Sequence, residues 1–289
     1  MNIKFPRYIM IQTTSYCNAD CIICPYDSLS KKQPQGLMDL KTYKKIIDEA
    51  SNYDIKRILL YLMNEPLMDK GIVSKVNYAK EKNPKAIVHI VSNGSLLNKK
   101  LIKDLINSKL DYIEFSVLAN RKETYRETMH LDFDKTTKEI LNFIKMARTQ
   151  SKGEDYININ ITRTPGLLSD EEKDKMINFW RNAGIKNINY FDMPTSRAGN
   201  VPFLPKIKKN SVHGCNSIWA NDMIHILYNG DVILCCMDWK REVVLGNIKT
   251  QSIYDVWNGE KYNRARKMRD GIIESPSNFI CKRCEAARI

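Results

Sequence analysis

The chain has 289 residues, 43% hydrophobic and 27% charged, with a formal net charge of +13; this is the make-up of a folded domain plus an appendage, not of a disordered protein. No run of about 18 apolar residues occurs, and MNIKFPRYIMIQTTSYC lacks the apolar stretch and small-residue cleavage site of a leader, so a cytoplasmic protein with no membrane contact is expected. The charge argues little for nucleic acid because it is spread out: 14 Lys and Arg against 9 Asp and Glu lie beyond residue 205, and the densest stretch, 261–269, reads as a solvated helix face.

Along the chain, β-rich runs recur at 8–14, 57–62, 86–92, 111–117, 156–162 and 187–192. Amphipathic helical patterns lie between them. The first opens at Asp39, a good N-cap, and continues through Tyr43, Ile46, Ile47 and Ala50; others fall near 70–82, 98–108, 134–150 and 169–183, the last beginning with Ser169 and Glu172 as a capping box. Strands separated by helices imply parallel pairing through right-handed crossovers. Six strands with five helices predict an α/β fold, a partial (β/α)6 barrel over residues 1–205 whose functional edge is the C-terminal ends of the strands. The period breaks in MPTSRAGNVPFLPKIKKN, which reads as a linker. Beyond it, 223–227 and 231–234 flank Tyr228-Asn229-Gly230, a hairpin signal, and a helix is expected near 252–268, giving a small second domain over 206–289.

The eight cysteines fall into two groups, Cys17, Cys21 and Cys24, then Cys215, Cys235, Cys236, Cys281 and Cys284, with none between. Without a secretion signal such grouping favours metal ligation over disulfides. Structural zinc wants four closed ligands, whereas the first group offers three with no nearby His, which suits a cubane with one open iron. The second group has enough thiols for a closed site and could by itself be zinc or 4Fe-4S. A zinc-stabilised nucleic-acid-binding protein is the non-enzyme alternative, but it leaves the motifs at the strand ends unexplained.

Cys17-Asn-Ala-Asp-Cys21-Ile-Ile-Cys24, directly after the first strand, resembles the CxxxCxxC signature of the radical S-adenosylmethionine superfamily. The resemblance implies that these three thiolates hold a 4Fe-4S cluster whose open iron chelates S-adenosyl-L-methionine. Ile23 departs from the aromatic residue usual there. Met63-Asn64-Glu65-Pro66 resembles the GGEP segment, with Glu65 facing the methionine amino group and Asn64 in place of a glycine; Asn93, in Ser92-Asn93-Gly94, resembles the NG motif near the ribose, and Ser116 the serine near the methionine carboxylate. The C-terminal part is similar to the twitch/SPASM type of auxiliary-cluster domain, through Cys215, Gly230 to Cys235, Leu245 to Ile248, Ile253 to Trp257 and Cys281-Lys-Arg-Cys284. That likeness implies a second 4Fe-4S cluster on Cys215, Cys235, Cys281 and Cys284.

Cys236 is then left over, either an inert buried thiol or, as in radical epimerases of this family, the donor that returns a hydrogen atom to the substrate. Arg197, in Thr195-Ser196-Arg197-Ala198-Gly199, matches the place of a substrate-contacting Arg in aminocyclitol-oxidising members; otherwise it is an ordinary linker residue. His89 alternates with apolar residues and reads as core, while His130, His213 and His225 match no motif. The expected function is hydrogen abstraction from a carbon of a carbohydrate-like molecule, with epimerisation through Cys236 slightly ahead of hydroxyl dehydrogenation. Peptide modification ranks lower because a separate peptide-recognition domain does not fit this length. A flavodoxin or ferredoxin is the expected electron donor.

Overall fold

The computed structural model describes residues 4–289 except 165, 167 and 193; the first three residues of the leader reading and the first of the linker lie outside it. Nine strands form one sheet in the order β6-β5-β4-β3-β2-β1-β7-β8-β9. Its first six members, β1 (Tyr8–Ile11), β2 (Arg57–Leu59), β3 (Ile87–Ser92), β4 (Tyr112–Val117), β5 (Ile157–Thr162) and β6 (Asn187–Phe191), are all parallel and follow the runs read from sequence. Helices α1 (Leu40–Ala50), α2 (Ile72–Lys82), α3 (Lys99–Asn107), α5 (Phe133–Thr149) and α6 (Asp170–Asn182) occupy the expected crossovers. Asp39 caps α1 by accepting from the Thr42 N–H at 2.7 Å, and Ser169 with Glu172 forms the capping box of α6.

Alternation along each strand divides the sheet into an outer, helix-covered face and an inner one. On β4, Ile113, Phe115 and Val117 are buried outward, with Phe115 edge-on to Phe143 of α5 at 5.4 Å, while Tyr112, Glu114 and Ser116 form the other, half-buried set.

Three features differ from the sequence reading. A short helix, α4 (Lys122–Met129), precedes α5; its residues KETYRETM carry too few apolar side chains to give a clear stripe. The last helix is two, α7 (Ile253–Asn258) and α8 (Glu260–Arg269), because Gly259 takes an extended conformation between them. Strand β9 (Val244–Asn247), too short for an alternation signal, pairs with β8 (Asp231–Ile233), which forms the expected hairpin with β7 (Met223–Ile226).

The C-terminal region is not hung on the end of the linker. Strand β7 lies parallel to β1 over four residue pairs, from Tyr8 with Met223 to Ile11 with Ile226, so the barrel sheet runs on into the hairpin. The joint is fixed at its lower end by Asp222, which accepts from the Arg7 backbone N–H at 3.0 Å and from its guanidinium at 2.7 Å.

Candidate active site

Three loops meet at the C-terminal ends of β1, β2 and β3. The Glu65 N–H donates to the Tyr16 carbonyl at 3.0 Å, and the Glu65 carboxylate accepts from the Ser92 hydroxyl at 2.8 Å, the Asn93 N–H at 2.7 Å and the Leu67 N–H at 3.0 Å. Asn93 in turn donates to Asn18 at 3.0 Å, and Asn18 to Ser95 at 2.8 Å. Burial pushes the Glu65 carboxyl up to about 7 against the pull of these donors. Glu65 is thus spent largely on tying the loops together. Beside it, Met63 sits at φ 54° and the buried Asn64 Nδ2 has no partner among the described residues. The left-handed backbone at Met63 is the conformation a glycine would adopt without strain, and here a side chain bears it. Pro66 starts the short 3-10 turn that Glu65 caps. Gly94 turns the chain at φ 75°, where a Cβ would meet Ile140 at 2.8 Å.

The cysteine loop is anchored at several points. The Cys17 N–H donates to the Tyr26 hydroxyl at 2.7 Å, Ile22 N–H to Thr128 of α4 at 3.0 Å, and Cys24 N–H to the Cys21 carbonyl at 2.9 Å. Burial raises the Cys17 thiol to about 12 and lifts Cys21 far above its ordinary value, with Cys24 and Cys17 adding to the rise at Cys21. The three thiols are half-buried neighbours in one loop, and a metal bound there takes them as thiolates.

The second group assembles from three segments. Cys235 and Cys236 follow β8, Cys281 and Cys284 bracket a 3-10 turn, and Cys215 is bridged to Ala287. Burial is again the main cause of the raised Cys235 and Cys281 thiols, followed by their neighbouring cysteines. Because β8 runs antiparallel to β7, its end lies at the opposite edge of the sheet from the Cys17 loop.

Both donor sets are sulfur only. Among the described residues no three His, Cys, Asp or Glu side chains gather as a single-ion site, where Zn–S bonds of about 2.3 Å would draw thiols together. Iron–sulfur clusters take thiolates as their ligands, and the chain supplies three thiols in the loop after β1 and five in the C-terminal part.

On the inner face of the sheet, against the second thiol set, lies a cavity of about 350 Å³. Its walls include Cys236, the four other C-terminal thiols, Tyr61 on the loop after β2, and His89, Glu114, Asn160 and Asn189 on β3 to β6. His89 is buried within β3, as its alternation with apolar residues implies. It is 2% exposed yet borders the cavity, and so does His225 of β7. Ser116 lies on the Glu114 side of β4, next to Asn160 in register, and makes no described hydrogen bond. Arg197, at φ 52°, has a buried Nε without a partner among the described residues. Its charge reaches two thiols, Cys24 and Cys236, in each case opposing the dominant upward push of burial.

The parallel sheet, the sulfur triad at its C-terminal edge and the second sulfur set define the class. Residues 11–179 match the radical SAM superfamily, to which the chain belongs, and residues 215–285 match the SPASM iron–sulfur cluster-binding domain. Its cofactors are S-adenosyl-L-methionine and two 4Fe-4S clusters. Among known proteins it is similar to the S-adenosyl-L-methionine-dependent 2-deoxy-scyllo-inosamine dehydrogenase of Niallia circulans, 24% identical over 283 residues that cover 97% of this chain and 93% of the relative. The fold is shared with BtrN in complex with AdoMet and 2-DOIA (TM-score 0.65, 23% identity, 99% of this chain and 94% of that one). It is shared too with Streptococcus suis SuiB bound to precursor peptide SuiA (TM-score 0.75, 18% identity, 98% and 72%). No helix among the described residues is long and apolar enough to cross a membrane.

Proposed function

We propose that this radical SAM enzyme dehydrogenates a hydroxyl-bearing carbon of a small, carbohydrate-like substrate held in the cavity that the inner face of the sheet and the second sulfur group enclose. The reading rests on one observation above the others: a cavity of about 350 Å³, of small-molecule size, with hydrogen-bonding side chains on one wall and the second thiol set on another. End-to-end similarity to a dehydrogenase of comparable length supports it.

In this reading residues 1–205 are the barrel and 206–289 the auxiliary-cluster unit. Cys17, Cys21 and Cys24 hold the first cluster, and Cys215, Cys235, Cys281 and Cys284 the second. Asn64, through its unpartnered Nδ2, with Pro66, Asn93 and Ser116, lines the S-adenosyl-L-methionine site, while Glu65 fixes the loops that shape it. Bound there, the cofactors supply a 5′-deoxyadenosyl radical that removes a hydrogen atom from carbon. The protein's own part is to exclude water and aim one C–H bond of the substrate. Arg197, whose charge bears on both Cys24 and Cys236 and whose buried Nε has no partner among the described residues, is the proposed substrate contact. An external reductant, a flavodoxin or ferredoxin, starts the reaction.

A second reading is favoured by the position of Cys236 on the cavity wall: return of a hydrogen atom from its thiol, giving an epimer. One experiment separates the two. Anaerobically reconstituted protein should carry about eight irons and release 5′-deoxyadenosine, which Cys21→Ala should abolish. Turnover of candidate polyols in D2O is then analysed by mass: a product two hydrogens lighter supports dehydrogenation, whereas an isomer carrying one deuterium, lost in Cys236→Ala, overturns it in favour of epimerisation.

A further inference from the structure

In a parallel sheet covered on both faces, inward positions are expected to be apolar. Here four consecutive strands break that rule along one connected line of side chains. Asn189 of β6 donates to Asn160 of β5 at 2.9 Å, Asn160 donates to the Glu114 carboxylate of β4, and the His89 Nε2 of β3 stands 3.1 Å from Glu114 Oε1. The His89 contact is off the line of a hydrogen bond, and both ring nitrogens are buried with no aligned partner among the described residues. The ring is held edge-on by Tyr61 at 5.2 Å and against Tyr112 at 4.6 Å. Of the pair, the Glu114 side chain is the open member, 14% exposed against 3% for His89, and it borders the cavity.

We propose that Glu114 is the catalytic base of the cavity, receiving the hydroxyl proton of the substrate, with His89 as its positioning residue. This rests on the dehydrogenation reading above. The balance is complete: the C–H hydrogen leaves as an atom to the 5′-deoxyadenosyl radical, the O–H proton goes to Glu114, and the remaining electron goes to an oxidised iron–sulfur cluster, leaving C=O. Asn160, fixed by Asn189, and His89 set the direction of the carboxylate. The titratable groups around it are His89 on β3, Tyr112 on its own strand, Tyr61 and Arg57 on the β2 side, and Cys236 across the cavity. Burial works to raise the Glu114 pKa, but the approach of His89, Asn160 and Tyr112 outweighs it and keeps the group ionised at neutral pH. Burial lowers the pKa of His89, with Arg57 adding to this and Glu114 working against it.

The test uses reconstituted holoenzyme with 2-deoxy-scyllo-inosamine as probe, read by calorimetric binding, 5′-deoxyadenosine release and ketone formation against pH. In Glu114→Gln, deoxyadenosine release should persist while ketone falls about 100-fold, and probe binding should weaken about tenfold, the loss of one hydrogen bond to a charged acceptor. His89→Leu removes a neighbour that lowers the Glu114 pKa, so the acid limb of ketone formation should move to higher pH, and His89→Gln, which keeps a neutral donor, should restore it. Ketone formation unchanged in Glu114→Gln, or an acid limb unmoved in His89→Leu, overturns the assignment. Wild-type enzyme that converts the probe to an isomer, or leaves it untouched, overturns instead the reading on which the assignment rests.

Discussion

Single residues here carry more than their sequence context announces. Gly94 is an example whose motif is readable and whose reason is not: it combines φ 75° with an Ile140 side chain 2.8 Å from where a Cβ would stand. Gly94→Ala should cost about 2–4 kcal/mol, the sum of a left-handed L-residue and overpacking, read as a lower urea midpoint with the slope unchanged. His225 is a second case. Burial lowers its pKa to about 4 from an ordinary 6.5, so between those values the unfolded chain binds a proton that the folded one refuses. Its contribution is whole above pH 6.5 and is lost as the pH falls toward 4, by about 3 kcal/mol for this shift. Stability measured from pH 7 to 4 should show that fall, and His225→Gln should remove most of it. His89 and Glu114 were hidden for a different reason. Each looks like an ordinary alternating polar residue in its own strand, and only side-chain contacts running diagonally across β3 to β5, with the β5–β6 pairing of Asn160 and Asn189, bring the four together. A signal did exist, since four neighbouring parallel strands each carry a polar residue at an inward position.

At the level of elements, strands were the more legible class. Their β-branched runs stand between helical stripes, and the six parallel strands fall where that alternation puts them. Capping chemistry was equally plain. Asp39, held near pKa 2 chiefly by the Thr42 N–H, is ionised throughout the useful pH range, and Asp39→Ala should cost about 1 kcal/mol, checked as a shift in urea midpoint at pH 7. Loss of that increment in wild type should occur only as the pH falls through the range from 3.8 toward 2, when the carboxylate protonates in the unfolded and then the folded chain. Helix α4 shows where periodicity fails. Its stability comes from tertiary anchoring, with Thr124, Tyr125, Thr128 and Met129 buried and the Thr128 carbonyl accepting from Ile22 in the cysteine loop. That second contact explains why so polar a segment is ordered beside the first sulfur triad.

For the molecule as a whole, composition and cysteine grouping pointed to two sulfur sites, but not to how they are joined. A linker rich in proline suggests two bodies on a tether, whereas the chain holds them through β1 and β7 in one sheet. Insertion of two glycines after the exposed Lys206 should accordingly cost under about 1 kcal/mol by loop-closure entropy and leave iron per chain unchanged; loss of half the iron would show that the linker, not the sheet, seats the second site. The span from the first triad to Cys235 is composed of strand length in one direction and, from β1 through β7 to β8, two strand spacings of about 4.8 Å in the other. That makes the gap between the sites a discrete quantity. Across the sheet the gap can change only by whole strand spacings and along it only by whole residues, so lineages can reshape what fills it one side chain at a time, and substrate preference should drift more freely than substrate size.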